Sequence, residues 1–161
     1  MGLRCSRSAI RARPGQRSQR KIELGVPMTL GVLRDSIAVL NVRTLTNLNA
    51  HFPKLGWRTP DTYSSNTFCM PPKSPGLYVV TLDNWETDFS RPMYVGQSRN
   101  IQNRWNGHEI IGQIYDAQSS CEAVRRWFLP WEVKTLLESE RFLISSLNPS
   151  YNIIGRTRGV A

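Results

Sequence analysis

Apolar residues near the middle of the chain fall into two short runs that flank a polar loop. The runs cover residues 76–82 and 92–96, and the loop, residues 83–91, is rich in Asp, Asn and Ser. Two apolar runs around such a loop predict a β-hairpin, with a connection longer than a tight turn requires. A third run, residues 124–129, is rich in Val, Trp and Phe and ends before a proline, which predicts another strand.

Helical periodicity marks the stretch between residues 29 and 40. Thr29 lies just before the first apolar position and is suited to cap a helix. We interpret the stretch as a helix that packs on the core of the domain that follows. The next segment, residues 51–75, contains five prolines and is predicted to be loop or linker. The apolar positions that recur every three or four residues in the helix are Leu30, Leu33, Ile37 and Leu40.

A second helical stretch, residues 133–147, carries a carboxylate on its apolar face. Glu140 falls in the middle of the apolar stripe, whereas Glu138 projects to the polar side. A carboxylate on a buried face is costly unless it is paired or binds a cation. Glu140 therefore either has a partner or binds a metal ion. The helix is predicted to stop at Asn148, because a residue before proline avoids the α region. The stripe consists of Val133, Leu136, Leu137, Leu143, Ile144 and Leu147.

Two tyrosines on the predicted hairpin and two basic side chains after it would meet in one patch. If Tyr78 stands opposite Tyr94, both rings lie on one face of the sheet, with Cβ atoms roughly 5 Å apart. Ser98 then precedes a segment with Asn and Arg, which suggests a capped helix. Arg104 and His108 are four residues apart and would share a face of that helix.

The positive charge of the chain is concentrated in its first half. The formal net charge is +9, and residues 1–75 hold twelve Lys/Arg against three acids, a balance of +9. Residues 76–161 hold nine of each and are formally neutral. The balance suggests a polyanionic partner that is attracted mainly by the front of the chain.

Residues 1–22 contain seven basic residues, no acid and few apolar residues, so we predict that they are disordered. Three interpretations of this segment stay open. The first is a solvated tail, which includes the case that the reading frame has been extended too far upstream of a start at Met28. The second is a flexible DNA-binding arm, and the third is an organellar presequence.

Two features of the sequence bear on compartment. No run of 18 or more apolar residues exists, so a membrane span is not expected. Cys5, Cys69 and Cys121 are far apart and form no CxxC pair, which predicts free thiols and neither a disulfide frame nor a zinc site. We therefore expect a cytoplasmic, intracellular protein, with an organellar presequence as the less favoured alternative.

Four blocks of this sequence, in order, resemble the GIY-YIG nuclease family. Gly76-Leu77-Tyr78 stands for the first half of the signature and Tyr94-Val95-Gly96 for the second. Arg104, ten residues past Tyr94, matches the family arginine, and His108 matches a position that is His or Tyr in many members. Residues 140–152 resemble the closing motif, with Glu140 as its metal-binding acid and Asn152 as its terminal Asn. The resemblance covers roughly residues 73–155.

The resemblance implies an α/β (α+β) fold in which a small three-stranded antiparallel sheet is flanked by helices. We expect a disordered basic arm over residues 1–24, an accessory helical segment and linker over 25–72, and a nuclease-like domain over 73–158. If the helix predicted over residues 29–40 does not pack on the core, we expect it to be a DNA-reading element.

The activity that the resemblance implies is hydrolysis of DNA phosphodiester bonds by an endonuclease that uses Mg²⁺ or Mn²⁺. Glu140 would hold the metal and Arg104 the scissile phosphate, and His108 would assist the activation of water or contact phosphate. A free tyrosine is scarcely ionised at neutral pH, so Tyr78 or Tyr94 would activate water only with a lowered pKa or through a relay. We expect three further residues to bind substrate or organise the site: Gly96, Arg99 and Asn152.

Several alternatives stay open. The alternative to an endonuclease is a catalytically inactive nucleic-acid-binding module of the same fold. The sequence leaves the DNA target, the biological role and the oligomeric state open. Trp85 and Phe89, unusual in so polar a loop, would cap the core edge or stack on a base, and we favour capping. Arg125 and Arg126 would face phosphate or lie at a solvated strand edge. We expect the acids of the hairpin loop to be solvated and not to form a metal cluster: Asp83, Glu86 and Asp88.

Overall fold

The computed structural model describes residues 28–39, 48–61 and 70–154. The predictions for the basic arm and for Leu40, Cys5 and Cys69 lie outside the described residues. Among the described residues, no helix has the length and apolar character needed to cross a membrane. The elements follow in the order α1 (Leu30–Val39), α2 (Leu48–His51) with a 3₁₀ turn (Phe52–Leu55), β1 (Gly76–Asn84), β2 (Phe89–Ser98), α3 (Ile101–Trp105), α4 (Glu109–Ala117), β3 (Glu122–Pro130), a second 3₁₀ turn (Val133–Thr135), α5 (Leu136–Leu147) and α6 (Ser150–Ile154).

The three strands form one antiparallel sheet in the order β2-β1-β3. The predicted mixed α/β architecture around a three-stranded antiparallel sheet is therefore confirmed. The hairpin connection is shorter than expected, because β1 continues to Asn84 and β2 already begins at Phe89. The side-chain Oδ1 of Asn84 accepts hydrogen bonds from the backbone N–H groups of Glu86 (3.0 Å) and Thr87 (3.1 Å), which closes the turn.

The register of the hairpin differs from the expected pairing of its two tyrosines. Tyr78 pairs with Gly96, and Tyr94 pairs with Val80, with an irregularity between Val80 and Thr81. The two tyrosines are therefore diagonal neighbours on one face of the sheet, and their ring centroids are 6.0 Å apart. The expectation that they stand directly opposite was wrong.

Both faces of the sheet are buried, which explains why almost every residue of β1 is inaccessible to solvent. Leu77 and Val79 lie in a cluster with residues of α1, α2 and α5. Tyr78 and Val80 lie on the opposite face with residues of α3, α4 and β3. Helix α1 packs on the first face through Leu33 and Ile37, which are 0% and 1% exposed. The interpretation of this stretch as a helix on the core is confirmed.

The residues around the first prolines belong to the core and are not a linker. Phe52 and Trp57 are fully buried and stack with ring centroids 5.0 Å apart. Arg58 exchanges two backbone hydrogen bonds with Phe128, of 2.9 and 2.8 Å, and so covers the outer edge of β3. The prediction of a loop or linker over residues 51–75 was therefore wrong for its first part. The prolines limit regular structure there, but the neighbouring aromatic rings still reach the core.

The last long helix is shorter and its buried face narrower than the sequence predicted. Residues Val133–Thr135 form a 3₁₀ turn, and α5 begins at Leu136. Val133 and Leu137 are about half exposed, at 47% and 51%. The helix ends at Asn148, as its place before Pro149 predicted, and Asn148 adopts the left-handed conformation (φ 47°, ψ 54°). The buried face consists of Leu136, Ser139, Leu143 and Leu147, and Glu140 lies partly buried at its flank.

Candidate active site

The side chain of Tyr78 lies at the centre of the residues that the sequence singled out. It is 0% exposed, and its ring lies directly over Gly96 on the neighbouring strand. A Cβ at Gly96 would collide with Cζ and Oη of Tyr78 and lie 2.9 Å from Cε1. The rings of Trp105, His108 and Tyr94 surround it, with centroids 6.1, 5.8 and 6.0 Å away.

The hydroxyl group of Tyr78 joins the two basic side chains. Nε of Arg104 donates a hydrogen bond to Tyr78 Oη over 3.2 Å, and Nε2 of His108 lies 2.9 Å from the same oxygen. A guanidinium group can only donate. The arrangement therefore lets Tyr78 donate its own proton to a neutral imidazole whose Nε2 is the acceptor.

Arg104 and His108 reach Tyr78 from two elements and not from one helix. Helix α3 ends at Trp105, and Gly107 has a positive φ of 75°. His108 is extended and precedes α4 as its N-cap position. The prediction that Arg104 and His108 share a helical face was wrong, because the chain turns between them.

The capped helix predicted after Ser98 is confirmed, and its cap residue is Asn100. The side chain of Asn100 accepts a hydrogen bond from the backbone N–H of Asn103 over 3.0 Å. Ser98, the expected turn residue, instead bonds through Oγ to the backbone N–H and carbonyl of Asn100, at 3.0 and 2.8 Å. Ser98 therefore fixes the cap residue and does not cap the helix itself.

The protonation states of this group follow from burial and from one positive charge. Burial, then the nearby Tyr94, raises the pKa of Tyr78, although Arg104 opposes the change. Burial, then the charge of Arg104, lowers the pKa of His108. The hydrogen bond with Tyr78 raises the pKa of Arg104. At neutral pH, a neutral phenol and a neutral imidazole therefore lie beside a guanidinium ion, and the lowered tyrosine pKa that phenolate chemistry requires is not found at Tyr78.

Glu140 approaches the same place from α5. Burial raises the pKa of its carboxyl group. The hydrogen bond from the backbone N–H of Gln97 opposes that rise, followed by the charges of Arg104 and Arg141. The partner expected for Glu140 is therefore chiefly the backbone N–H of Gln97 in β2. Arg104 lies close enough for its positive charge to favour the ionised carboxylate.

Asn152 holds β2 through its backbone. Oδ1 accepts the N–H of Val95 over 2.7 Å, and Nδ2 donates to the carbonyl of Val95 over 2.8 Å. Strand β2 is an edge strand of the sheet, so these groups of Val95 point away from β1. Asn152 therefore organises the strand that carries Tyr94 and Gly96, and both ends of its amide are used for that purpose.

The site residues divide into a buried pair and a solvent-facing set. Tyr78 and His108 are 0% and 7% exposed. Tyr94 and Glu140 are partly exposed, and Arg104 is exposed, so these three can meet a ligand. Arg99, expected to bind substrate, is exposed in the bend between β2 and α3. The sequence did not indicate Gln97 or Trp105 as members of the site. Gln97 acts through its backbone N–H and Trp105 supports the ring of Tyr78, and neither role has a sequence motif.

A hard divalent cation is compatible with Glu140. The described residues contain no group of three or more His, Cys, Asp or Glu side chains that could hold a metal ion together. Mg²⁺, however, is commonly held by one or two carboxylates and keeps several water ligands. An ionised carboxylate has about four acceptor positions, so the bond from Gln97 leaves others available to a cation.

The two arginines of β3 are engaged with carboxylates. Arg125 Nε lies 2.7 Å from Asp83 Oδ2, and Arg126 Nη2 lies 2.8 Å from Asp61 Oδ1. Asp61 Oδ2 also accepts the backbone N–H of Arg126 over 2.7 Å. Neither arginine lies at a solvated strand edge, and their pairing with carboxylates disfavours a role in phosphate binding.

Comparisons of the chain with models of known protein families, with curated proteins and with solved structures found no match. The resemblance to the GIY-YIG nucleases therefore rests on the four sequence blocks.

Proposed function

We propose that the chain is an endonuclease of the GIY-YIG type, which hydrolyses DNA phosphodiester bonds with Mg²⁺ or Mn²⁺. The observation that carries the proposal is the convergence of Tyr94, Arg104 and Glu140 in front of the hydrogen-bonded pair of Tyr78 and His108. These five residues come from β1, β2, α3, the start of α4, and α5.

Arg104 is suited to hold the scissile phosphate. Its Nε–H is used by Tyr78 Oη and a further hydrogen bond links it to Tyr94, but a guanidinium group has five N–H donors, so others remain for a ligand. The bond to Tyr78 fixes the plane of the guanidinium group, and a fixed plane favours bidentate contact with two phosphoryl oxygens. Arg104 is exposed, so a phosphate can approach it from solvent.

Glu140 would hold the metal ion through the acceptor positions that Gln97 does not occupy. A bound divalent ion would supply positive charge to the phosphoryl oxygens and acidify a coordinated water. Glu140 must be ionised for this role. Its raised pKa therefore predicts that metal binding begins at a higher pH than an ordinary glutamate would require.

Tyr94 is the tyrosine that we assign to the attacking water. Tyr78 is fully buried, and its hydroxyl is shared between Arg104 and His108. Tyr94 is partly exposed, and its ring centroid is 5.2 Å from that of His108. Tyr78 is then a positioning residue, which orients Arg104 and keeps Nε2 of His108 in a hydrogen bond.

The proposal is tested by nicking of supercoiled plasmid DNA with Mg²⁺ or Mn²⁺, with EDTA as the control. We expect cleavage by the full chain, and none by Glu140→Gln. Glu138→Gln is a matched control, because Glu138 lies on the same helix but is exposed and pairs with Arg34 over 3.1 Å. The absence of nicking at an excess of protein over DNA, with either metal, would contradict the proposal.

One observation favours a second candidate, a catalytically inactive nucleic-acid-binding module of the same fold. The bond between Glu140 and the backbone of Gln97 gives this carboxylate a structural role that needs no metal. The module would bind DNA in the same assay without nicking it, and Glu140→Gln would leave that binding unchanged. We propose an intracellular location for either activity, on the basis of the three separate cysteines.

A further inference from the structure

Two guanidinium groups, one from α3 and one from α5, lie near the carboxyl group of Glu140. They belong to Arg104 and to Arg141, the residue that follows Glu140 in the chain, and the positive charge of each favours the ionised carboxylate. Both arginines are exposed to solvent. An anion that approaches Glu140 from solvent therefore meets positive charge from two separate elements.

A third arginine, Arg99, is close to the same carboxylate along the backbone. Arg99 follows Gln97 by two residues, so their Cα atoms are at most about 7.6 Å apart, and the backbone N–H of Gln97 bonds to Glu140. Oγ of Ser98 bonds to the backbone N–H and carbonyl of Asn100, at 3.0 and 2.8 Å, and these bonds fix the bend around Arg99. The bend therefore holds the backbone of Arg99 near the site, while its side chain is exposed.

The arginines of the described residues fall into two groups according to their ion pairs. Four of them pair with carboxylates, over distances between 2.7 and 3.2 Å. The other four form no ion pair with a described carboxylate, and three of those four are the arginines near Glu140. A guanidinium group without a carboxylate partner keeps N–H donors for another anion. The paired arginines are Arg34, Arg91, Arg125 and Arg126, and the others are Arg58, Arg99, Arg104 and Arg141.

The fourth of these arginines, Arg58, lies far from the other three. Its backbone pairs with Phe128 at the outer edge of β3, whereas Gln97, the partner of Glu140, belongs to β2. Strand β1 lies between β2 and β3, so Arg58 and Glu140 are at opposite edges of the sheet. Arg58 is exposed like the others and therefore provides a matched control away from the site.

The turn of the β1–β2 hairpin does not offer a comparable surface for an anion. Trp85 is 62% exposed and Phe89 is 42% exposed, so the interpretation that they cap the core was wrong. The cavities beside Trp85 are lined by carboxylates that already pair with arginines, and a carboxylate repels phosphate. These lining carboxylates are Asp61, Asp83 and Glu122.

We propose that Arg99 and Arg141 bind the DNA phosphates next to the scissile phosphate, which Arg104 holds. This inference rests on the proposed function and names the side chains that hold its substrate along the strand. Each strand of duplex DNA carries a phosphate about every 3.4 Å of helix axis, so cations a few ångströms from the cleaved bond meet the neighbouring phosphates. The sequence indicated Arg99 as a substrate-binding residue, and the ion-pair pattern adds Arg141.

Contacts with the neighbouring phosphates are made equally in the bound substrate and in the transition state, so they affect binding and not the chemical step. Arg99→Gln and Arg141→Gln should each raise the half-saturating DNA concentration for plasmid nicking by about threefold, and leave the maximal rate unchanged. Nicking is measured at about pH 8, because loss of the Arg141 charge makes Glu140 harder to ionise. Arg104→Ala differs, since it should lower the maximal rate.

A second measurement does not involve cleavage. The full chain is titrated into a fluorescent DNA duplex in EDTA at several salt concentrations, and the anisotropy gives the slope of log affinity against log salt. Arg99→Gln and Arg141→Gln should each lower the slope by about 0.9, and the double variant by about 1.8. Arg58→Gln removes the same charge at the opposite edge of the sheet and should leave the slope unchanged. Circular dichroism of each variant establishes that the fold is retained.

Three outcomes would overturn the proposal. An unchanged slope in Arg99→Gln or in Arg141→Gln would show that this arginine does not contact a phosphate. An equal loss of slope in Arg58→Gln would show that the contacts are not confined to the site. A lower maximal rate at an unchanged half-saturating DNA concentration would assign the arginine to the chemical step. Failure of the full chain to nick DNA would contradict the proposed function alone, because the slopes are measured without cleavage.

Discussion

The ring of Tyr78 occupies the space that a side chain at Gly96 would need. The two residues are direct partners in the β1–β2 ladder, and the absence of a Cβ at Gly96 lets the phenol lie across the neighbouring strand. In that position the hydroxyl of Tyr78 reaches both Arg104 and His108. Glycine is required here for close approach, since the positive-φ glycines of the described chain are Gly56 and Gly107.

Gly96→Ala should therefore damage the site and the fold together. The added methyl group would collide with Cζ and Oη of Tyr78, whose ring is fully buried. We expect a loss of about 1–3 kcal/mol in the free energy of unfolding, measured by urea denaturation, and loss of cleavage. Gly112→Ala is the matched control, because a Cβ there meets nothing within 4 Å and alanine favours the helix. Equal stability of the Gly96→Ala protein and the wild type would contradict the proposed contact.

Glu140→Gln should abolish cleavage while leaving folding and DNA binding nearly intact. The raised pKa of Glu140 means that its charge opposes folding at neutral pH, so neutralising it should keep or slightly raise stability. The amide oxygen of Gln can still accept the N–H of Gln97. Plasmid nicking, thermal unfolding and a DNA-binding assay measure the three quantities. Activity retained in Glu140→Gln and lost in Glu138→Gln would show that Glu138 is the functional acid.

Arg104→Ala should reduce turnover by a factor of about one hundred or more, as is typical when a group that stabilises transition-state charge is removed. Arg104→Lys should restore only part of the rate. Lysine keeps the charge, but it has no Nε–H at the position that bonds Tyr78 Oη and no planar fork. Single-turnover nicking rates distinguish the variants. Full activity of the lysine variant would exclude bidentate contact with the phosphate.

The strands and the long helices could be predicted from local patterns, since burial of a strand or of a helix face leaves a period in the sequence. The pairing of Tyr78 with Gly96 could not. An irregularity between Val80 and Thr81, opposite Pro92, changes which residues stand opposite, and the apolar runs alone do not reveal it. The core position of Trp57 was missed because the neighbouring prolines indicated a linker, although an aromatic residue can enter a core from irregular backbone.

The members of the candidate site were named from sequence, but their contacts were not. Gly107 allows the turn that separates Arg104 from His108, a break that helical spacing alone does not reveal. The bond from the Gln97 amide to Glu140 depends on β2 being an edge strand, which is a property of the assembled sheet. Contacts made by backbone groups across the fold leave no trace in residue type.

His108 should make stability depend on pH in a defined direction. Its pKa is lowered in the folded protein, so the unfolded chain binds the proton more readily. The stability that neutral His108 contributes is fully present above the ordinary histidine pKa of about 6.5. It is lost as the pH falls from 6.5 through the lowered pKa of the folded protein. Urea denaturation between pH 5 and 8 should show a wild-type advantage over His108→Gln that shrinks on acidification. A difference that is constant across this range would exclude a lowered pKa.

The last prediction concerns salt dependence and follows from the distribution of charge. Residues 76–161 are formally neutral, so we expect non-specific affinity for DNA to come mainly from the first 75 residues. Each phosphate contact adds about 0.9 to the slope of log affinity against log salt concentration. If four to seven basic residues of segment 1–22 contact phosphates, replacing all seven by Gln should lower that slope by roughly four to six units. Cleavage at saturating DNA should persist, because the replacements leave every proposed site residue in place. An unchanged slope would show that the segment does not contact DNA. The affinity for DNA would then have to come from Arg104 and other basic residues that follow residue 27.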